Sequence, residues 1–275
     1  MIARFTATTV KYLSLVIAGL VTLVPLVVIL FAALKSSKEY STTAPLTPPS
    51  NWFNYQNFAT AFIDGQMSLG FLNTSVIMVI SVFATIVIGT MTAYALDRFD
   101  FRFKKLVFVL FLLATLVPGV TTQVATYQVV NGLHLVNTLW AGIVLFAGTD
   151  IVSIYIFVQF MQSIPKSLDE AAMLDGANRF TIYWRVILPL LRPAIATVVI
   201  IKGIAIYNDF YIPYLYMPGQ NLAVISTSLF RFQGPFGARW ELIAAAIIIV
   251  LIPTIIVFLV LQKFIYNGIT SGATK

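Results

Sequence analysis

Cysteine is absent from this chain, and histidine occurs once, at His134. Disulfides, thiol nucleophiles and thiolate metal sites are thereby excluded, and a lone imidazole cannot build a His-rich metal centre. Charge is scarce as well. Asp, Glu, Lys and Arg make up 10% of 275 residues, where a soluble domain of this length carries about a quarter. The dipeptide Gly-Lys does not occur, which rules out a Walker-type phosphate loop, so energy from ATP would have to come from another polypeptide. Paired catalytic carboxylates and a nucleophile elbow are also missing, and the chain does not read as an enzyme.

What is there is apolar. Hydrophobic residues make up 59% of the chain, and the few charges cluster, leaving uncharged runs of more than about 20 residues, each long enough to cross a ~30 Å hydrocarbon core as a helix. The chain reads as an all-α, polytopic membrane protein. Its net charge of +7 sits in short inter-helix loops. With no basic amphipathic face or aromatic-interleaved patch, it does not point to nucleic acid.

Six spans follow from the charge-free runs, within a single transmembrane domain covering residues 1–275. The first covers about Tyr12–Leu34; Arg4 and Lys11 precede it as in a signal peptide, but the apolar core is too long for one. The polar stretch from Lys35 to about Gln66 is rich in proline and aromatics and suits a loop or short helix at the interface. The second span is about Leu69–Leu96, closed by the turn Asp97–Lys105. The uncharged run Leu106–Thr149 is too long for one span, and Pro118-Gly119 and Asn131–His134 supply breaks, giving spans at about Leu106–Thr126 and Leu139–Phe160. A polar loop, about Met161–Arg192, leads to a fifth span from Pro193 to about Tyr216, interrupted near Pro213, and a sixth at about Leu242–Phe264.

Lys and Arg in the loops set the orientation. Twelve of the 17 would lie on one side: Arg4, Lys11, Arg98, Arg102, Lys104, Lys105, Lys166, Arg179, Arg185, Arg192, Lys263 and Lys275. Lys35, Lys38, Arg231 and Arg239 lie on the other, and Lys202 is inside span five. Both termini and the Met161–Arg192 loop are therefore expected in the cytoplasm.

That loop has a shape of its own. Ser167 and Glu170 form an S-x-x-E capping box behind Pro165, predicting a helix from about Leu168. On it Leu168, Ala171, Ala172 and Asp175 share a face at i, i+3, i+4 and i+7, and the alanines permit close approach of another surface. Gly176 can end the helix in the left-handed region, and a second helix fits from about Arg179 to Val186. A solvated loop with a cap and a turn would carry the same signals; local chemistry alone does not choose.

The run Glu170-Ala171-Ala172 with Gly176, followed by Val186-Ile187-Leu188-Pro189, resembles the EAA loop of binding-protein-dependent ABC importer permeases. Ala93–Phe99, Ser163–Ala177, Tyr183–Leu190, Tyr207–Phe210 and Asn267–Ala273 resemble the carbohydrate-uptake subfamily, in order along nearly the whole chain. The chain is similar to the second membrane subunit of maltose-type transporters. Val186 stands where the family usually has Ile, and Tyr207 where Trp is common.

The resemblance implies a type I ABC importer permease fold in the bacterial inner membrane. It implies a heterodimer with a sister permease, two ATPase subunits that bind ATP and Mg, and an extracytoplasmic solute-binding protein. No cofactor or metal is expected in this chain itself. Glu170, Ala171, Ala172, Asp175 and Gly176 would form the helix that docks into the ATPase. Tyr207, Asn208, Asp209, Tyr211 and Tyr214 would line the translocation path, and Phe232, Gln233 and Gly234, within Phe230–Gly237, would reach the binding protein. The cargo would be a sugar or oligosaccharide, with glycerol phosphate or another polar solute as the alternative. A self-contained channel or secondary transporter is the competing class, and it offers no reason for the Glu170 loop.

Several of these features have second readings. The tyrosines from Tyr207 to Tyr214 also fit an interfacial aromatic belt, and Phe230–Gly237 an ordinary interfacial loop. Charges inside spans are expensive in lipid. Lys202 and Asp150 lie at similar depth counted from the cytoplasmic ends of spans five and four, so they can pair as structural glue, while Lys202 could instead line a pore. His134 reads as an incidental polar residue, and Asn73-Thr74-Ser75 as a chance glycosylation match.

Overall fold

The computed structural model describes residues 2–148, 150–234 and 237–273. Its helices are, in chain order, α1 (Ile2–Leu34), α2 (Ser37–Thr42), α3 (Gln56–Asp64), α4 (Met67–Arg98), α5 (Lys104–Thr115), α6 (Gly119–Gly132), α7 (Leu139–Ala147), α8 (Ile151–Gln162), α9 (Ser167–Leu174), α10 (Arg179–Ile182), α11 (Leu188–Leu190), α12 (Arg192–Asn208), α13 (Tyr211–Tyr216), α14 (Ile225–Ser228) and α15 (Trp240–Ala273). A π turn, Tyr183–Ile187, joins α10 to α11, and a two-residue hairpin pairs β1 (Gln233–Gly234) with β2 (Gly237–Ala238).

Val10–Leu34, Met67–Arg98 and Trp240–Val260 are each long and apolar enough to cross a bilayer. Three bent pairs pass the same test, giving up to six crossings: α5 with α6, α7 with α8, and Arg179–Leu190 with α12. The α5–α6 pair turns through 102°. Pro118 accounts for this. It sits at the N-cap of α6 with extended geometry, and a proline disfavours helical geometry in the residue before it, so the stretch expected as one span over Leu106–Thr126 forms two helices.

The fifth apolar stretch breaks earlier than expected. The sequence points to Pro213, but α12 stops at Asn208, and Asp209 takes extended geometry. Its carboxylate accepts the Ile212 N–H at 2.8 Å, capping α13. Pro213 lies in the first turn of α13, where an N–H has no intrahelical partner and its absence removes no bond.

The residues divide into two compact units, Met1–Ser68 with Ser228–Val257, and Leu69–Thr227 with Phe258–Lys275. In the first, the end of α1 is closed by side chains from beyond it. Asn57 donates to the carbonyls of Ala33 and Lys35, both at 2.8 Å, and Asn54 to that of Leu34 at 3.0 Å. The orphan acceptors of the last helical turn are thus satisfied. Lys35 is buried with its ammonium on the Ala44 carbonyl. Buried Glu241, in the first turn of α15, pairs with Arg239 at 3.1 Å.

The second unit has two apolar clusters. One joins Ile77 and Val82 of α4, Ala141, Ile143 and Phe146 of α7, and Ile206, Tyr216 and Met217. The other joins Ala93, Tyr94 and Leu96 at the end of α4 with Phe157 and Met161 of α8, Ile182, Tyr183 and Ile187 of the loop, and Ala194 and Val198 of α12. Gly89 permits this second packing, since a Cβ there would stand 2.9 Å from the Phe157 ring. Asn73 is buried and donates to the carbonyls of Asn221 and Ala223. It closes a loop in the core and is no glycan acceptor.

Candidate functional site

The segment from Ile164 to Leu191 forms a short helical knob, part of which packs on the core of the second unit. It begins with α9, and the expected capping box is not formed. Ser167 lies inside the helix, and the N-cap is Lys166, without a side-chain cap bond. Backbone bonds from Asp169 and Glu170 to the Lys166 carbonyl close the first turn instead. Asp169 and Glu170 place negative charge at the positive end of the helix dipole, which favours the same start.

The other end forms as the sequence predicts. Gly176 has φ +82°. The Ala177 N–H bonds the Ala172 carbonyl and the Gly176 N–H that of Met173, the pairing of a Schellman cap. Asn178 then caps α10, its side-chain oxygen accepting the Thr181 N–H at 2.8 Å. The second helix expected over Arg179–Val186 runs only to Ile182 before widening. The Leu188 N–H reaches the Tyr183 carbonyl, five residues back, and Pro189 follows at once. A proline cannot donate in the ladder, so the preceding turn opens to a π spacing.

Of the residues expected to dock, Glu170, Ala171, Asp175 and Gly176 are exposed. Ala172 is half-buried and packs on the core cluster of α4, α8 and α12. Large apolar side chains are exposed on the same segment, and of them only Leu168 stood out in the sequence. Leu174 is 90% exposed, Phe180 64%, and Leu168 and Trp184 are exposed beside them. The knob therefore exposes large apolar groups as well as the carboxylates of Glu170 and Asp175.

The inner side is held by the last turns of α4. Arg98 has its guanidinium against Asp97, 2.9 Å from the Ile164 carbonyl, and 3.1 Å from the Asp169 carboxylate. The Tyr94 hydroxyl reaches the Arg179 carbonyl at 3.4 Å, and the Thr90 hydroxyl bonds that of Tyr183 at 2.7 Å. The Arg179 guanidinium lies over the Phe99 ring, 5.5 Å from its centroid. Neither Arg98 nor Asp169 stood out in the sequence. Two adjacent acids, Asp169 and Glu170, look alike until the helix turns one inward.

Around the expected path residues, Tyr207 is half-buried and Asn208 is exposed, its amide donating to the Ile204 carbonyl one turn back. Asp209 is half-buried and committed to capping, and its carbonyl accepts the Ser226 hydroxyl at 2.7 Å. Tyr211 and Tyr214 are exposed, the latter stacked on Phe210 at 5.0 Å. Lys202 and Asp150 form the expected pair, 2.9 Å apart, and Asp150 also caps α8 through Ser153. In the other unit, Phe232 is buried at 8% exposure, beside Gly65, so its ring is not offered to a partner. Gln233 and Gly234 are exposed on the hairpin; Pro235 and Phe236, also part of that expected contact, lie outside the described residues. Among the described residues, no group of three or more His, Cys, Asp or Glu could hold a metal ion.

Comparison with known proteins matches residues 86–271 to the family described as binding-protein-dependent transport system inner membrane component. The melibiose/raffinose/stachyose import permease protein of Bacillus subtilis is 30% identical over 261 residues, covering 92% of this chain and 91% of that one. The sulfoquinovosyl glycerol transport system permease protein of Agrobacterium fabrum is 29% identical, over 92% and 89%. Among solved structures, one chain of a bacterial ABC transporter involved in the import of the acidic polysaccharide alginate superposes with a TM-score of 0.83. It covers 95% of this chain and 97% of that one, at 20% identity. The fold is that of an ABC importer permease.

Proposed function

This chain belongs to the family of binding-protein-dependent transport system inner membrane components, and from that premise we propose that it carries sugars or oligosaccharides across the bilayer as one half of a heterodimeric path. It is a non-catalytic, multi-pass membrane component of an ABC transporter. With no Gly-Lys dipeptide to build a phosphate loop, no residue here would hold ATP or Mg, which fall to a separate ATPase. The sugar cargo rests on the relatives; the sister permease and the solute-binding protein rest on the family.

One observation carries the coupling role. The α9–α10 knob leaves Glu170, Leu168, Leu174 and Phe180 exposed, while Ala172, Ile182 and Tyr183 of the same segment pack on the core. An ATPase groove with a basic residue and an apolar floor would accept such a surface, through a charge-assisted contact to Glu170 and burial of Leu174 and Phe180. ATP-driven closure of the ATPases would then rock the knob and the spans behind it between inward- and outward-facing states. Tyr211, Tyr214 and Asn208, with aromatic faces and an amide, suit the CH faces and hydroxyls of a sugar. Gln233 and Gly234 are what this chain would present to the binding protein.

Uptake into vesicles holding this chain and its co-expressed partners is expected to require ATP and to stop with vanadate. Glu170→Lys is expected to insert normally and abolish that uptake. Transport by this chain without an ATPase would identify it as a channel or secondary transporter.

A further inference from the structure

The side of the knob that faces inward carries a second assignment, which rests on the coupling role proposed above. We propose that Arg98 is a positioning residue for transport: with Tyr94 and Thr90 it makes a polar seam on α4 through which displacement of the loop reaches the spans. The three residues are spaced four apart and so lie on one face of the helix. Each meets a different piece of the loop. Thr90 bonds the π turn at Tyr183, Tyr94 reaches the first residue of α10, and Arg98 holds both the Ile164 carbonyl and Asp169 of α9.

The pair at the end of the seam is unusual in its burial. The side chains of Arg98 and Asp169 are 3% and 4% exposed. Although their nearest atoms are 3.1 Å apart, no donor among the described residues makes a hydrogen bond to either Asp169 oxygen, so charge alone holds that contact. A charge contact in a low-dielectric interior is strong but weakly directional, and it keeps its grip while α9 tilts. The loop does not need the pair in order to form. The Schellman cap at Gly176, the Asn178 cap and the apolar packing of Ile182 and Ile187 already shape it. What those features lack is a polar tie from α9 to α4. Apolar packing is non-directional and lets surfaces slide, whereas the planar guanidinium is fixed by its hydrogen bonds to Asp97 and the Ile164 carbonyl and from there ties α9 through its charge contact with Asp169. One helix of eight residues therefore presents Glu170 outward for docking and Asp169 inward for transmission.

The test uses the whole transporter in proteoliposomes and reads two quantities, sugar uptake per ATP hydrolysed and the amount of ATPase that co-purifies. Arg98→Gln and Asp169→Asn are each expected to retain the ATPase and its hydrolysis while lowering uptake per ATP about tenfold. Arg98→Lys, which keeps the charge and loses the fork, is expected to recover part of the loss. Asp169→Asn alters no volume and decides the matter if Arg98→Gln does not accumulate. A wild-type uptake ratio in Asp169→Asn overturns the proposal. So does loss of the ATPase from both variants, which would make the seam a support for docking, and so does failure of both to accumulate, which would make it a folding brace. If the wild-type chain itself retains no ATPase, the coupling role fails first, and this seam has no motion to transmit.

Discussion

Asp169 and Glu170 are neighbours with the same charge and opposite fates. Successive helical side chains point about 100° apart, so once α9 forms, one carboxylate enters the protein and the other stays in water. The inward one needs a cation, and Arg98 supplies it; the outward one is free for a partner. Lys202 and Asp150 show the same rule at membrane depth. They are mostly buried and 2.9 Å apart, and removing one leaves an uncompensated charge among apolar groups. Asp150→Asn or Lys202→Met alone is expected to destabilise the protein by about 3 kcal/mol, measured by thermal unfolding in detergent. The double variant is expected to recover most of that loss, because neither charge then remains. Additive losses would count against the pairing as glue.

At the scale of elements, the short helices are set by their ends. The S-x-x-E pattern at Ser167 is a true pattern without the bond it predicts, since the chain enters α9 one residue earlier, at Lys166. Asn178, which no motif marked, makes the bond that Ser167 does not. Ser167→Ala is therefore expected to leave stability within about 0.5 kcal/mol of wild type, and Asn178→Ala to lower it by about 1 kcal/mol. Equal effects in thermal melts would contradict this assignment of caps. The break before α13 teaches the same lesson. Proline draws the eye to position 213, yet the interruption lies at Asp209, whose carboxylate gives the new helix its first partner. Proline in a first turn continues a helix as readily as it ends one, and the sequence does not say which turn it occupies. Pro118 differs because it stands before its helix, at the N-cap, and the chain bends there.

For the molecule as a whole, the absence of cysteine makes the proposed orientation straightforward to test. A single cysteine at the exposed Leu174 is expected to react with a membrane-impermeant maleimide from the cytoplasmic side only, and to be shielded when the ATPase is bound. A single cysteine at Gln233 is expected to react from the outside only. The reverse pattern would invert the topology drawn from Lys and Arg, a count that includes Lys275, which lies outside the described residues. Long helices were legible at this scale because an apolar run of span length has few ways to satisfy its backbone in lipid other than as a helix. The loop was legible because its charges interrupt those runs.

The sequence by itself determined the class: apolar length and clustered charge make a multi-pass helical membrane protein, the missing Gly-Lys removes ATP hydrolysis by a phosphate loop, and the Glu170 loop with its left-handed Gly176 marks the knob. These are properties of composition and short spacing, which survive without knowledge of neighbours. Only the tertiary structure decided which face of the knob is free. Whether Ala172 points out or in, whether Phe232 is offered or buried, and which acid meets Arg98 all depend on what α4, α8 and α12, or in the other unit Gly65, bring alongside. Helical periodicity gives a face its members but not its direction, and direction is set by packing between segments far apart in the chain.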